Sequence, residues 1–140
     1  MKQLNACFVA VFFLAAMQTA SAELVVIVNA NASIDSLDKQ TVADLFLAKK
    51  SSFPDGSDAV PVEQVENSGE REEFHEKVTG KSNHQLTSHW SRLVFSGKGK
   101  PPREFDSGAK ILQLVSDNPE VIGYVDSSLV TPAVKVVLTP

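Results

Sequence analysis

The chain has 140 residues, with 13 Lys and Arg against 17 Asp and Glu and a formal net charge of −4. That acidic balance, with one Tyr and one Trp, excludes nucleic acid and anionic membrane as partners, since both rely on clustered positive charge and single strands also on aromatic stacking. The only cysteine is Cys7, so downstream of it the sequence excludes disulfides, thiolate catalysis and zinc-thiolate sites.

Residues 1–22 carry the pattern of a cleavable signal peptide. Lys2 is the positive n-region, an apolar run follows from Ala6 to Met17, and Ala20-Ser21-Ala22 supplies the small-x-small cleavage signature. The run is shorter than the ~20 residues a bilayer span needs, so export is expected and stable membrane insertion is not. Cys7 precedes the apolar run, whereas a lipidated cysteine follows it. The mature chain is then 23–140, with 12 basic and 17 acidic residues and the size of one domain. Export without disulfides points to the periplasm.

"ELVVIVNA", 23–30, is an uninterrupted apolar run suited to a strand buried on both faces of a mostly parallel sheet. In "SLDKQTVADLFLAKK", Leu37, Val42, Leu45 and Phe46 fall at helical spacing, with Lys49 and Lys50 at the C-terminal end. "FPDGSD" is a turn and "AVPVEQV", 59–65, a second strand. Ser68 is a natural N-cap and Gly80 a natural stop for the helix between them. Ser82 with Gln85 forms a capping-box pattern ahead of the stripe Leu86, Trp90, Leu93, Val94, and Trp90 with Phe95 is expected in the core. "SGKGKPPR" reads as a solvated basic loop. Asp106 or Ser107 caps a helix through Ile111, Leu112, Leu114 and Val115 that Asn118-Pro119 ends, and "EVIGYV" and "AVKVVL" close the set as strands. Alternating strands and helices predict an α/β fold: one three-layer domain with a small, mostly parallel central sheet flanked by helices.

Four ordered pieces, "TVADLFLAKKSSFPDGSDAVPVEQ", "SGEREEF", "HWSRLVFSGKGKPP" and "VSDNPEVIGYV", resemble phosphate ABC-transporter substrate-binding proteins of the periplasmic-binding-protein-like type II group, specifically short single-domain members. Nearly the whole mature chain is covered. The resemblance implies two lobes closing over phosphate in full-length members, one of them contributing an Arg-x-Asp-x-Ser-Gly-Thr turn at a helix start. Aligned on Ser68-Gly69, the family arginine falls on Gln64, the aspartate on Glu66 and the threonine on Glu70, while Arg71 and Phe74 match many relatives. "NANAS", 29–33, stands where the other lobe has its Gly- and Thr-rich loop, with Asn29, Asn31 and Ser33 as donors. The mature length falls short of a second complete lobe.

Two readings follow. In the first, the chain is a non-enzymatic binding protein for inorganic phosphate or a similar oxyanion, serving an ABC-transporter permease or another envelope protein. Ser68, Gly69, Glu70 and Arg71 then hold the ligand through backbone amides, a hydroxyl and a guanidinium, Glu66 accepts from a protonated phosphate, and Tyr124 faces the cleft. In the second, the chain keeps the fold as an interaction or regulatory module of the envelope without a small ligand. At Ser68 itself, capping and anion binding use the same groups, with Glu70 and Glu72 able to satisfy the helix dipole internally. His75, His84 and His89 lack metal-ligand spacing, and Ser68 does not sit in Gly-x-Ser-x-Gly; no metal, cofactor or catalytic residue is expected.

Overall fold

The computed structural model describes residues 23–140; the expected signal peptide at 1–22 lies outside the described residues. Five strands, β1 (Leu24–Asn29), β2 (Val60–Gln64), β3 (Arg103–Phe105), β4 (Val121–Asp126) and β5 (Val134–Leu138), form one sheet in the order β3-β2-β4-β1-β5. The helices are α1 (Lys39–Phe46), α2 (Gly69–Phe74), α3 (Asn83–Phe95) and α4 (Gly108–Asp117), and a π-helical turn (His75–Thr79) continues α2. No helix among the described residues is long and apolar enough to cross a membrane.

All six residues of β1 are buried, and alternate side chains face opposite layers. Val26 and Val28 join Phe46, Phe74, Ile122 and Tyr124 in a core under α1 and α2. Val25 and Ile27 join Ile111, Val115 and Val125 in a second core under α4. Phe74 stacks on Tyr124 at 4.2 Å with the planes 9° apart, and Phe46 meets Phe74 at 4.7 Å; such pairs contribute about 0.5–1.5 kcal/mol each beyond their buried area.

The three-layer α/β arrangement matches the expectation, and the strand directions refine it. β2 pairs in parallel with β3 and β4, whereas β1 is antiparallel to both β4 and β5. The sheet is therefore mixed. The apolar run of β1 reports helices on both faces of the strand, which does not depend on the direction of its neighbours.

Local signals in the sequence act where expected. Ser107 caps α4, and Ser82 with Gln85 makes both bonds of the capping box; Asp38, not singled out from sequence, caps α1 by accepting from the Thr41 amide at 2.7 Å. Gly80 takes the left-handed conformation, φ 67°, that ends the π-helical turn. Phe95 departs from expectation: it is 96 % exposed on the last residue of α3, while Trp90 packs with Leu47 and Leu86. The "SGKGKPPR" segment is loop as far as Pro102, and Arg103 already belongs to β3.

Gly123 sets how closely α4 approaches the sheet. A Cβ there would lie 2.6 Å from Ile111 Cγ2 and 3.3 Å from Val62 Cγ2. Gly123→Ala is expected to lower stability by about 1–3 kcal/mol through overpacking, read as a lower midpoint in urea unfolding with an unchanged slope.

Candidate functional site

The Ser-Gly turn is built by the backbone first. Val65 N donates to Phe105 O at 3.0 Å and Ser68 N to Val65 O at 2.9 Å, which brings the chain from β2 into α2 within four residues. Ser68 is the N-cap, with its Oγ accepting from Arg71 N at 3.4 Å. The same hydroxyl donates to Gln64 Oε1 at 2.7 Å. Gln64 Nε2 in turn donates to a Glu70 carboxylate oxygen. One amide side chain thus spans the mouth of the turn, from the cap to the first acidic residue of the helix. The Gly69 and Glu70 amides make no hydrogen bond among the described residues.

Arg71 points inward. Its Nη1 donates to Gln64 O at 3.1 Å and to Glu104 Oε1 at 2.5 Å, and lies 3.8 Å from Glu63 Oε2. Burial disfavours the charged guanidinium, but Glu63 and then Glu104 more than offset this, so its pKa stands above the ordinary arginine value. Nε is buried without a hydrogen-bond partner. Glu63 is itself 1 % exposed and shares its other oxygen with His75 Nε2. His75 Nδ1 and Thr79 Oγ1 lie in hydrogen-bond contact at 2.9 Å, and the Thr79 hydroxyl also reaches the His75 carbonyl at 3.1 Å. The ring orientation is fixed from both sides.

The expected site residues separate accordingly. Ser68, Gly69, Glu70 and Arg71 are brought together, but Arg71 faces β2 and β3, with its Nη1 committed to Gln64 O and Glu104. Glu66 is exposed and, with Arg71, Asn83 and Glu104, lines a cavity of about 350 Å³. Tyr124 does not face a cleft. It is fully buried and stacked on Phe74, its hydroxyl accepts from Gln64 N at 3.3 Å, and burial followed by the nearby Glu63 raises its pKa well above the usual phenol range. The 29–33 segment is also committed internally. Asn29 Nδ2 donates to Val115 O at 3.0 Å and Ser116 O at 2.9 Å, its Oδ1 accepts from Asn31 N, and Ser33 donates to Asp55.

Glu63, His75 and Glu104 are the partners that sequence reasoning missed. Arg71 and His75 are one helical turn apart and share a face, and Glu63 is a lone charge in a strand that is otherwise apolar on that side. A charge in such a strand requires a buried partner, and an arginine and a histidine at i, i+4 on the next helix are where to look for one. Among the described residues no cluster of metal-ligating side chains occurs. His84 is exposed, and His89, half-buried, bonds Leu47 O at 2.9 Å.

No family model and no curated protein matches the sequence. Solved structures do match its fold. A putative phosphate ABC transporter substrate-binding protein with bound phosphate from Clostridium perfringens superposes with a TM-score of 0.66 at 23 % identity, over 83 % of this chain and 44 % of its own. An ABC-type phosphate transport receptor from Vibrio cholerae gives 0.67 at 16 % identity, over 83 % and 45 %. PstS from Borrelia burgdorferi gives 0.63 at 10 % identity, over 83 % and 46 %. The chain has the fold found in these binding proteins and spans less than half the length of each.

Two outcomes follow from this geometry. Arg71→Ala leaves Glu63 buried without its cation and is expected to destabilise the protein by about 3–5 kcal/mol; Arg71→Lys, tested beside it by thermal melting, should recover only part, since an ammonium cannot reach Gln64 O and Glu104 with one planar group. At the 29–33 segment, hydrogen bonds from Ser33 and then Ser57 lower the Asp55 pKa to about 2, below the ~3.9 of an unfolded chain. Its contribution is complete above about pH 4 and is lost as pH falls towards 2, so Asp55→Asn should flatten the acid limb of a melting-temperature profile in that window.

Proposed function

We propose that the protein is an exported, periplasmic, non-enzymatic lobe of the phosphate-binding-protein type, which acts by contact with another envelope protein and not by carrying phosphate. One observation carries this reading: the guanidinium that would clamp an anion is tied to Glu104 and Glu63, and the Gln64 side chain bridges Ser68 to Glu70 across the turn. Glu63 and Glu104 hold the arginine, Glu70 holds Gln64, and Glu66 lines the adjoining cavity. An arriving anion meets a negative field.

The second reading, an oxyanion carrier, is favoured by the unpartnered amides of Gly69 and Glu70 and by the phosphate bound in the Clostridium perfringens structure of the same fold. In that case the permease of an ABC transporter is the receiving partner, and Glu66 accepts from monohydrogen phosphate.

A melting-temperature series separates the readings, because any ligand specific for the folded state raises its stability, by about 2.7 kcal/mol at a hundredfold excess over Kd. Under the contact reading, millimolar phosphate, sulfate or arsenate leaves the melting temperature unchanged; a phosphate-specific rise selects the carrier. The double substitution Gln64→Arg with Glu70→Thr, which removes the bridge and one carboxylate, is expected to gain phosphate binding by calorimetry.

A further inference from the structure

One groove on this acidic protein is lined by basic residues and no acidic ones. A groove of about 520 Å³ runs between the C-terminal end of α1, the start of β2, the α3 side chain Trp90 and the 98–103 loop. Lys49, Lys50, Lys98, Lys100 and Arg103 line it, and none of its lining residues is acidic. That is five of the 12 basic residues from position 23 onward, and none of the 17 acidic ones. Only Lys50 has a carboxylate partner among the described residues, Asp44 at 3.7 Å; Arg103 lies over the Phe105 ring at 5.4 Å.

Apart from Ser51, the rest of the lining is apolar or aromatic. Leu45, Ala48, Val62 and the prolines 61, 101 and 102 contribute, and the stems of the lysines extend that surface outward. The groove exists because β3 begins only at Arg103, opposite Val62. Before that point Pro101 and Pro102, which have no N–H to donate, cannot continue the ladder beside β2. At Gly99 the loop passes close to Leu93 and Ala48, and an added Cβ would stand 3.5 Å from Ala48 Cβ. A substituted Cβ there would stand 3.2 Å from Leu93 Cδ2.

We propose that this groove docks an acidic peptide segment of a partner protein, with apolar side chains of the segment in the floor and its carboxylates on the lysine rim. The charge is complementary. The other anionic occupants fit the observations less well. A small inorganic anion makes no use of an apolar floor. A lipid surface is flat, and the apolar part here is recessed. Bases of a single-stranded nucleic acid need an open aromatic face, and Trp90 is only 8 % exposed. The proposal rests on the contact reading and gives it a surface and a partner chemistry.

The test is fluorescence anisotropy on the full mature chain, using labelled peptides of about ten residues that alternate Asp or Glu with Leu or Phe. Controls are an all-Glu peptide, an uncharged apolar peptide, phosphatidylglycerol vesicles and inorganic phosphate, with Trp90 emission as a second readout. We expect the acidic apolar peptides to bind best, their affinity to fall at least about tenfold in Lys98→Glu with Lys100→Glu, and binding to weaken with salt. Both lysines are on an exposed or partly exposed loop and outside the core, and an unchanged melting temperature checks the variant's fold. Absence of peptide binding, binding that the double variant leaves intact, or preference for the vesicles overturns the groove assignment. Stabilisation by phosphate overturns the contact reading itself whatever the peptides do, so the two failures are distinguishable.

Discussion

One buried charge governs the region from β2 to α3. Glu63 sits in the strand at 1 % exposure, and it is tolerable there only because Arg71 and His75 approach it from the following helix. Desolvating a carboxylate is among the most unfavourable events in folding, and it is offset only when the group is paired and its remaining lone pairs are bonded. That requirement fixes the rotation of α2, turns the guanidinium towards the sheet, and draws Glu104 of β3 onto its outer side. The anion turn is therefore a structural element first. Its serine caps, its arginine neutralises, and its glutamine closes the mouth.

The same constraint explains the sharp change of helix type. The segment begins as α-helix and widens into a π-helical turn at His75, where the imidazole must reach Glu63 on one side and Thr79 on the other. Such widened turns accompany sites where a side chain is held at a position ordinary helical geometry does not give. Here the demand is for an internal partner.

Much of the architecture was legible because local chemistry and burial agreed. The capping box at Ser82, the stop at Gly80 and the serine cap at 107 are short-range signals that depend on a few residues and nothing else. The run in β1 fixed burial on both faces but was silent on strand direction, since helices cover a strand equally well either way. Phe95 misled because α3 has already left the core before it: Val94, placed in the same apolar stripe, is exposed as well. At the site, Ser68 and Gly69 were legible from the turn and Arg71 from the resemblance. Where the guanidinium points was not, because its partners lie 8 residues before it and 33 after it in the chain, and a pairing across that distance leaves no periodic trace.

The place of β1 has a kinetic meaning. It is the first strand in the chain, yet its neighbours in the sheet are β4 and β5, reached about a hundred residues later. Until residue 121 is available, six consecutive aliphatic or amide side chains have nothing to pair with, and any closure joins the two ends of the polypeptide at once. Pairing of β1 into this sheet is consequently a late event, whereas β2 and β3 can join before it.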